Sequence, residues 1–457
     1  MISMSLQQLS ECLSLESPPS AEVVFTGVTI DSRKDCEDQL FIAIRGDHFD
    51  GLDYVEAAYE SGAVAALVET RVDCDIPQLV VEDCKQAMIR LSNQWRHSCS
   101  ATVIALTGSN GKTTVKEMIS HILQKQAATH ATQGNFNNDI GVPLTLFELS
   151  PTDRYAVIEM GANHAGEIAN LANIAEPDIV YVNNVAAAHL AGFGSVQGVI
   201  EAKGELYTYC SPQHRAVFNA DEFASIQWRE SCAAKHQLSC ALNKHADVQA
   251  SWQPEQTGLV LKVSYQGQVE SVSLCVFGEH NARNALAAIT VSLMAGVEFT
   301  AAVNNLAGFS GVRGRLQMLG GPLGSRLIND TYNANPDSLE AGIKVLCSLA
   351  GEAWLALGDM GELGDEAQAL HIRAAKLAQA HGVKKMFGFG PLSCAGSQEF
   401  GDSGYCFEQI DEMTKVILSQ INEDVNLLVK GSRSAGMEKL VEGLISHHKP
   451  GDMNHAV

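Results

Sequence analysis

The sequence predicts an α/β protein of three domains, of which the central one is a doubly wound parallel sheet with a phosphate-binding loop. Three observations support this fold class. The chain has 457 residues, which is too many for one hydrophobic core. Apolar runs of strand length alternate with segments of helical periodicity, as in parallel sheets. One such run leads directly into a glycine-rich segment, ALTGSNGKTT (residues 105–114).

The first domain is predicted at residues 1–83, where strand-like pieces such as LFIAIRG and AVAALVE surround a helix-like segment, GLDYVEAAYESGA. This mixture indicates a small α/β unit. The second domain is predicted at residues 84–312. Its run TVIALTG is typical of a buried parallel strand, and KTTVKEMISHILQKQ continues with apolar residues at helical spacing. The strands YAVIEMG and DIVYVNNV follow, with the helix-like AGEIANLANIA between them, which predicts the doubly wound sheet.

The third domain is predicted at residues 313–457. Four segments have the pattern of strands: SRLIND, AWLALGDM, KKMFGFG and NLLVKGS. Helical patterns such as PDSLEAGIKVLCSLAG separate them. This alternation predicts a second, smaller sheet with a Rossmann-like α/β arrangement.

The composition limits the classes of partner. Hydrophobic residues make up 46% of the chain and charged residues 18%, which is typical of a compact protein. With 31 basic and 53 acidic residues the formal net charge is −22, so we expect no nucleic acid and no anionic membrane as partner. No apolar segment has membrane-spanning length, and the N-terminus lacks a signal-peptide pattern. Twelve cysteines without C-x-x-C spacing predict reduced thiols, and we expect a cytoplasmic monomer.

The segment GSNGKTT has the composition and the setting of a phosphate-binding loop. Gly108 and Gly111 let backbone N–H groups turn inward, and the start of the following helix favours an anion. Lys112 can reach terminal phosphates, and the hydroxyl of Thr113 can bind magnesium. The usual pattern has a glycine where this chain has Leu106, but that position falls inside the strand. We therefore predict a shortened loop and a nucleotide site rather than a structural turn.

Other polar residues stand where a nucleotide site needs them. Glu159 ends a neighbouring strand, where a carboxylate can hold magnesium, although a solvent-facing glutamate fits equally well. Asn281 and Asn284 lie three residues apart on one predicted helical face, where they could contact an adenine edge or cap the helix. LNKHAD misses the guanine motif N-K-x-D, because Asp247 is one residue too far along the chain.

Together these features resemble the Mur ligase family, whose members use ATP to join an amino acid or peptide to a nucleotide-linked muramoyl peptide. The resemblance covers nearly the whole chain: TGSNGKTT is similar to the family's ATP loop, and GNFNNDIGVPLTL (residues 134–146) to the segment after it. It implies an ATP site formed by Gly108, Ser109, Asn110, Gly111, Lys112, Thr113, Thr114, Asn281, Asn284, Arg315 and Asp330.

The resemblance also implies magnesium, as two ions. AHLAGFGS carries His189 at the family's metal-proximal position, and EAKGELY places Lys203 where many members have a carbamylated lysine. A carbamate would turn this amine into an oxygen ligand, whereas the residues alone favour a helix-surface lysine flanked by glutamates. The implied metal ligands are Thr113, Glu159 and Lys203, and the implied catalytic residues are Lys112, Glu159, His189, Lys203 and Arg315.

Within the family, DTYNANPDS (330–338), LGDMGELG (357–364) and KGSRSAGME (430–438) are similar to the branch that adds D-alanyl-D-alanine to UDP-N-acetylmuramoyl-tripeptide. The D-N-P-R stretch of the diaminopimelate-adding branch is absent. TIDSRK and FIAIRGDHFDG resemble the uridine-binding region, although Leu52 replaces a usual histidine nearby. The implied substrate contacts are Ser32, Arg33, Arg45 and Gly46 for uridine, Asn137 and Asn138 after the ATP loop, and Asn333 and Asn335 for the dipeptide.

The implied reaction passes the terminal phosphate of ATP to the tripeptide carboxylate, and the dipeptide amine then attacks the acyl phosphate. Lys112, Arg315 and magnesium would neutralise the two anions, and closure of the third domain would exclude water. Two alternatives remain open. A folate polyglutamylating ligase of the same family should lack the DSR segment of the first domain, which this chain has. A nucleotide-dependent regulatory or binding module would carry out no ligation.

Overall fold

The N-terminal part of the chain forms two small sheets. The structure, a computed structural model, describes residues 1–16, 18, 20–46, 49–186 and 190–446. Strand β1 (Ser3–Ser5) pairs antiparallel with β2 (Val24–Thr26), and helix α1 (Leu6–Leu13) lies between them in sequence. The second sheet is parallel, in the order β3 (Val28–Thr29), β4 (Leu40–Ile42), β5 (Ala65–Val68) and β6 (Gln78–Val80). Helix α2 (Val55–Glu60) precedes β5, and α3 (Cys84–Ser98) leads out of this region.

The middle of the chain forms a nine-stranded sheet. Its elements, in chain order, are β7 (Thr102–Thr107), α4 (Lys112–Gln124), β8 (Thr129–Ala131), α5 (Gly141–Phe147), β9 (Tyr155–Glu159), α6 (Glu167–Ala175), β10 (Ile179–Val182), α7 (Leu190–Phe193), α8 (Val196–Thr208), β11 (Arg215–Asn219), α9 (Ser225–Ser231), β12 (His236–Ala241), β13 (Val248–Glu255), β14 (Gly258–Tyr265), β15 (Gln268–Leu274), α10 (Glu279–Met294) and α11 (Phe299–Asn305). The strand order is β15-β14-β13-β12-β11-β10-β7-β9-β8.

Strand β7 lies at the centre of this sheet and is buried on both faces. Val103 and Ala105 belong to the hydrophobic cluster on one face, and Ile104 and Leu106 to the cluster on the other. The chain runs outward from β7 to β8 on one side and later crosses to β10 on the other side. Ligands of doubly wound sheets bind where the strand order reverses in this way, beyond the carboxyl ends of the strands.

The central sheet is not wholly parallel. In the sheet order, every pair of neighbours from β8 through β7 to β13 is parallel. Strands β14 and β15 continue the sheet beyond β13 with antiparallel pairing, which was not predicted from the sequence. The turn between β14 and β15 consists of Gln266 and Gly267, both with positive φ, as in the tight turns that favour β-hairpins.

The C-terminal part forms a six-stranded sheet in the order β16-β17-β21-β18-β19-β20. Its elements are β16 (Gln317–Gly320), β17 (Arg326–Asp330), α12 (Pro336–Ser348), β18 (Glu352–Gly358), α13 (Ala367–His381), β19 (Lys385–Phe389), α14 (Pro391–Glu399), β20 (Gly404–Phe407), α15 (Ile410–Leu418), β21 (Val425–Lys430) and α16 (Glu438–Ser446). Strand β16 is antiparallel to β17. Strands β17, β21 and β18 are parallel neighbours, so their carboxyl ends lie side by side.

The predicted α/β fold class is confirmed, and the domain boundaries at residues 83 and 312 stay predictions. The prediction that every cysteine is a reduced thiol is wrong. Cys394 in α14 and Cys406 in β20 form a disulfide, with their Cα atoms 4.9 Å apart. Sequence spacing did not reveal this pair, because it is the packing of α14 beside β20 that brings the two residues together. In the described part of the chain, no helix has the length and hydrophobicity needed to cross a membrane.

Candidate active site

A cavity of about 1490 Å³ lies between the central and C-terminal sheets. It collects most of the predicted site residues from both sheets. Those that line it are Ser109, Asn110, Gly111, Lys112, Thr114, Asn137, Asn138, Glu159, Asn281, Asn284, Arg315, Asp330, Asn333 and Asn335.

The predicted phosphate loop joins β7 to α4 at one wall of this cavity. Its glycines are required by geometry. Gly111 has a φ of +77°, and a Cβ atom there would lie 2.7 Å from Asn183 Nδ2 and 2.8 Å from Asn284 Oδ1. At Gly108 the φ is +151°, and a Cβ atom would lie 3.0 Å from that of Asn183. The loop backbone is therefore held where larger residues do not fit.

Two asparagines after β10 hold the loop from the neighbouring strand. The backbone N–H of Asn110 donates to Asn184 Oδ1 at 2.8 Å, and Asn183 Nδ2 donates to the carbonyl of Asn110 at 2.9 Å. Asn183 Nδ2 also donates to Asn284 Oδ1 at 3.1 Å, which ties the loop to α10. Asn183 and Asn184 were not among the predicted site residues. Their position at the end of the predicted strand DIVYVNNV was the available signal.

Two cations meet at the start of α4. Lys112 Nζ donates to the carbonyl of Gly108 at 2.7 Å, and Arg315 donates to Thr113 Oγ1 at 3.2 Å from the other side of the cavity. Burial lowers the pKa of Lys112; the Glu159 carboxylate opposes this shift, and the positive charge of Arg315 adds to it. The Arg315 guanidinium lies 3.9 Å from the ring centroid of Tyr332, a cation–π contact that fixes its position. This arrangement concentrates positive charge where an anionic phosphate would bind.

Glu159 has one oxygen without a partner. Its Oε1 accepts a hydrogen bond from Asn137 Nδ2 at 2.8 Å, whereas the buried Oε2 has no hydrogen bond. Carboxylate oxygens are preferred ligands of magnesium, so this oxygen fits a metal ligand. No group of three or more histidine, cysteine, aspartate or glutamate side chains that could hold a metal occurs among the described residues. A site here therefore needs other ligands.

Lys203 lies in α8 and is buried, contrary to the surface position that the residues alone favour. Its Nζ donates to the carbonyl of Ala162 at 3.2 Å and lies 5.3 Å from the ring centroid of Phe193. Burial lowers the pKa of Lys203 to about 7, and the charge of Lys112 adds to the effect. His189, predicted beside the metal, lies outside the described residues.

The predicted adenine contacts are bonded to each other. Asn284 Nδ2 donates to Asn281 Oδ1 at 3.2 Å, and Asn281 Nδ2 donates to the carbonyl of Phe277 at 3.0 Å. Both side chains are buried in α10 at the cavity wall. Their role towards adenine stays a prediction.

On the C-terminal side, Asp330 is held by an ion pair. Its Oδ2 accepts from Lys430 Nζ at 2.5 Å, and its Oδ1 from the backbone N–H of Leu316 at 3.1 Å. Lys430 is buried and also donates to the carbonyl of Asn333 at 3.0 Å. Burial lowers the pKa of Lys430, while the Asp330 carboxylate opposes that shift. Lys430 is the first residue of the motif KGSRSAGME, but its contact with Asp330 was not predicted from the sequence.

Asn335 connects the two sheets. Its Oδ1 accepts from the backbone N–H of Ser338, which caps α12, and its Nδ2 donates to Asn110 Oδ1 at 2.8 Å. Both Oδ1 and Nδ2 of this carboxamide are therefore engaged. The Oδ1 of Asn333 accepts from Ala334 N–H at 2.8 Å, and among the described residues its Nδ2 has no acceptor.

The predicted uridine contacts lie apart from the cavity. Arg33 pairs with Asp31 at 2.7 Å, and Arg45 pairs with Asp50 at 2.8 Å. Neither these arginines nor the adjacent Ser32 and Gly46 line the cavity described above. Their role in binding stays a prediction.

Comparisons with known proteins agree with this arrangement. Three family profiles match successive parts of the chain: "Mur ligase family, catalytic domain" at residues 24–106, "Mur ligase middle domain" at 106–292, and "Mur ligase, glutamate ligase domain" at 314–433. The UDP-N-acetylmuramoyl-tripeptide–D-alanyl-D-alanine ligase of Escherichia coli K12 is 38% identical over 447 residues, which cover 97% of this chain and 99% of the relative. That of Haemophilus influenzae is 36% identical, with 97% and 99% covered.

Among solved structures, MurF from Acinetobacter baumannii superposes with a TM-score of 0.90 at 32% identity, over 98% of this chain and 99% of that one. The same three-part architecture is therefore present in both proteins. The matches extend over nearly the full length of each protein. The chain belongs to the Mur ligase family.

Proposed function

We propose that this protein uses ATP to add D-alanyl-D-alanine to UDP-N-acetylmuramoyl-tripeptide, the activity named for its full-length relatives. One observation supports the proposed chemical mechanism. Lys112 at the start of α4 and Arg315 just before β16 each contact the phosphate-loop region, in the cavity that Glu159 also lines. Joining two anionic reactants requires this kind of charge arrangement.

In the first step, the terminal phosphoryl group of ATP is transferred to the tripeptide carboxylate, and ADP leaves. Lys112 and Arg315 neutralise the oxygens of the group in transit, while the backbone N–H groups of the loop hold the remaining phosphates. Asn281 and Asn284 face the adenine, and Asp330 the ribose. We assign the catalysis to positioning and electrostatics.

Magnesium would be held by Thr113 Oγ1, the unpartnered Glu159 Oε2 and Lys203 as a carbamate, and when bound it would supply charge neutralisation between the reacting oxygens. A pKa of about 7 leaves much of the Lys203 amine neutral at neutral pH. The neutral amine forms an N–C bond with carbon dioxide and releases one proton. This reaction converts a buried neutral amine into an anion, which the positive charge of Lys112 favours. By family resemblance, we propose a metal-proximal role for His189.

In the second step, the dipeptide amine attacks the acyl phosphate carbonyl, an amide bond forms and inorganic phosphate leaves. The contacts Asn335–Asn110 and Arg315–Thr113 support closure of the C-terminal sheet over the intermediate. We propose that residues 84–312 bind ATP and residues 313–457 the dipeptide. Residues 1–83 would bind the uridine part, at Ser32, Arg33, Arg45 and Gly46, with Asn137 and Asn138 towards the muramoyl peptide. We expect a cytoplasmic monomer.

A coupled assay tests the proposal. The protein is incubated with ATP, D-alanyl-D-alanine and a UDP-muramoyl tripeptide that ends in either diaminopimelate or lysine. Phosphate release should require all three substrates, and mass spectrometry should detect the pentapeptide product. Release of phosphate without a peptide product would favour the regulatory module, and activity on folates instead would favour the folate ligase.

Two variants refine this assay. K112A should abolish product formation, because it removes the cation at the phosphate loop. K125A is the matched control: Lys125 follows the same helix, but its ammonium bonds to the carbonyl of Asn305 at 2.6 Å. Undiminished product formation by K112A would contradict the mechanism.

A further inference from the structure

A second, smaller cavity of about 240 Å³ borders the large one. It is lined by three loops, residues 333–335, 361–363 and 432–434, which follow β17, β18 and β21. These strands are neighbours in the sheet, so their carboxyl ends meet at one edge. The two cavities share Asn333, Ala334, Asn335 and Arg433 in their walls. The small cavity is therefore a branch of the reaction site.

Arg433 supplies the positive charge of this branch. Among the described residues that line the branch it is the cation and Glu362 is the acid, and both are exposed to solvent. Arg433 NH1 donates to Glu438 Oε1 at 3.3 Å, and 69% of the arginine side chain stays exposed. A guanidinium has five N–H donors, so this contact leaves donors for an anionic ligand.

Neutral donors surround the same space. Asn333 is exposed, and no acceptor for its Nδ2 is found in the described part of the chain. Ser434 Oγ lies 3.1 Å from Ser432 Oγ, whose own proton is donated to the carbonyl of Asp359 at 2.6 Å. The proton between the two hydroxyls therefore comes from Ser434, which can donate to a ligand when it gives up its bond to Ser432. Asn335 is held more firmly, since its Oδ1 and one N–H of its Nδ2 are already engaged.

The size and the orientation of the branch fit a small peptide. Its volume is below the roughly 300–1,000 Å³ of sites for larger ligands. Asn335, in the shared wall, contacts Asn110 of the phosphate loop, where the acyl phosphate would form. Asn335 therefore borders both the loop and the branch, and we place the dipeptide beside it, with its amine towards the loop and its carboxylate in the branch.

We infer that Arg433 binds the C-terminal carboxylate of the incoming dipeptide, assisted by Asn333 and Ser434, and that it thereby restricts the enzyme to peptides with a free carboxylate. This inference rests on the proposed function. Glu438 shares the guanidinium with the ligand, because its single contact does not require Arg433 to move away. Arg433 is thus a specificity-determining residue.

The test compares D-alanyl-D-alanine with its C-terminal amide, in which the carboxylate is replaced by a neutral carboxamide. The wild type should prefer the carboxylate form by about 10- to 100-fold in kcat/KM, the range of a charge-assisted hydrogen-bond pair. R433Q should reduce this preference to about twofold or less, with the KM values for ATP and the muramoyl substrate unchanged. R433K, which keeps the charge but not the forked geometry, should retain an intermediate preference.

R313Q is the matched control. Arg313 also lies in the wall of the large cavity, is 82% exposed and pairs with Glu442 at 3.4 Å, but it does not line the branch. R313Q should keep the wild-type preference whatever its rate. If R433Q slows both peptides equally, or if the wild type accepts the amide as well as the acid, the inference is wrong. If the wild type forms no product with the dipeptide, the proposed function itself fails.

Discussion

Replacement of Gly111 by alanine tests whether contact distances around the phosphate loop control nucleotide binding. The positive φ at Gly111 costs an L-residue about 1–2 kcal/mol. The added Cβ atom would also lie 2.7 Å from Asn183 Nδ2 and 2.8 Å from Asn284 Oδ1, closer than either contact allows. Displacing these buried amides breaks their hydrogen bond and costs about 1–3 kcal/mol more.

G382A is the matched control. Gly382 ends α13 with a φ of +95°, and a Cβ atom there would have no atom within 4 Å. Both variants therefore carry the backbone cost, but only G111A disturbs the asparagines that hold the loop.

We expect G111A to bind a non-hydrolysable ATP analogue at least tenfold more weakly than the wild type in isothermal titration calorimetry, while G382A binds it normally. Melting temperatures of both proteins serve as the check that they fold. Equal affinity of G111A and G382A for the analogue would refute the reasoning from these distances.

Three further predictions concern the cations of the site. Y332A should lower kcat/KM about two- to 30-fold, because Arg315 loses the ring on which it lies, whereas Y332F should stay near the wild type; equal losses would exclude the ring contact. K430M should destabilise the C-terminal sheet by about 3–5 kcal/mol, since it leaves the Asp330 carboxylate buried without its cation, and hydrogen exchange in β17 and β21 measures this; unchanged protection there would contradict it. Burial lowers the pKa of Lys203 from 10.5 to about 7, so the unfolded chain binds more protons than the folded one between these values. We therefore measure the melting temperature of the wild type minus that of K203M in carbon-dioxide-free buffer. This difference should rise from pH 7 towards pH 10.5. A difference that does not change with pH would show that the lysine is not buried as described.

The phosphate loop and the fold class were predictable because both follow from local patterns. The segment GSNGKTT lies between an apolar run and a helical period, and a strand, a loop and a helix that are adjacent in sequence are also adjacent in space. Glu159 was found for a related reason, since the carboxyl ends of parallel strands meet at one edge.

The residues that were missed act through contacts distant in sequence. Asn183 reaches the loop from β10, 73 residues away from Asn110, and Lys430 meets Asp330 across 100 residues. The burial of Lys203 depends likewise on elements packed around α8, whereas Glu201 and Glu205, two residues away on either side, suggested a surface position. Periodicity in one segment carries no information on which other segment will cover it.

The carboxamide of Asn335 links the phosphate loop to the C-terminal part of the protein. One end of this side chain starts α12, and the other touches the phosphate loop. A nucleotide that shifts Asn110 would thus directly displace Asn335 and, with it, the first turn of α12 in the C-terminal part of the protein. Binding at the phosphate loop and the position of α12 are therefore coupled through one side chain.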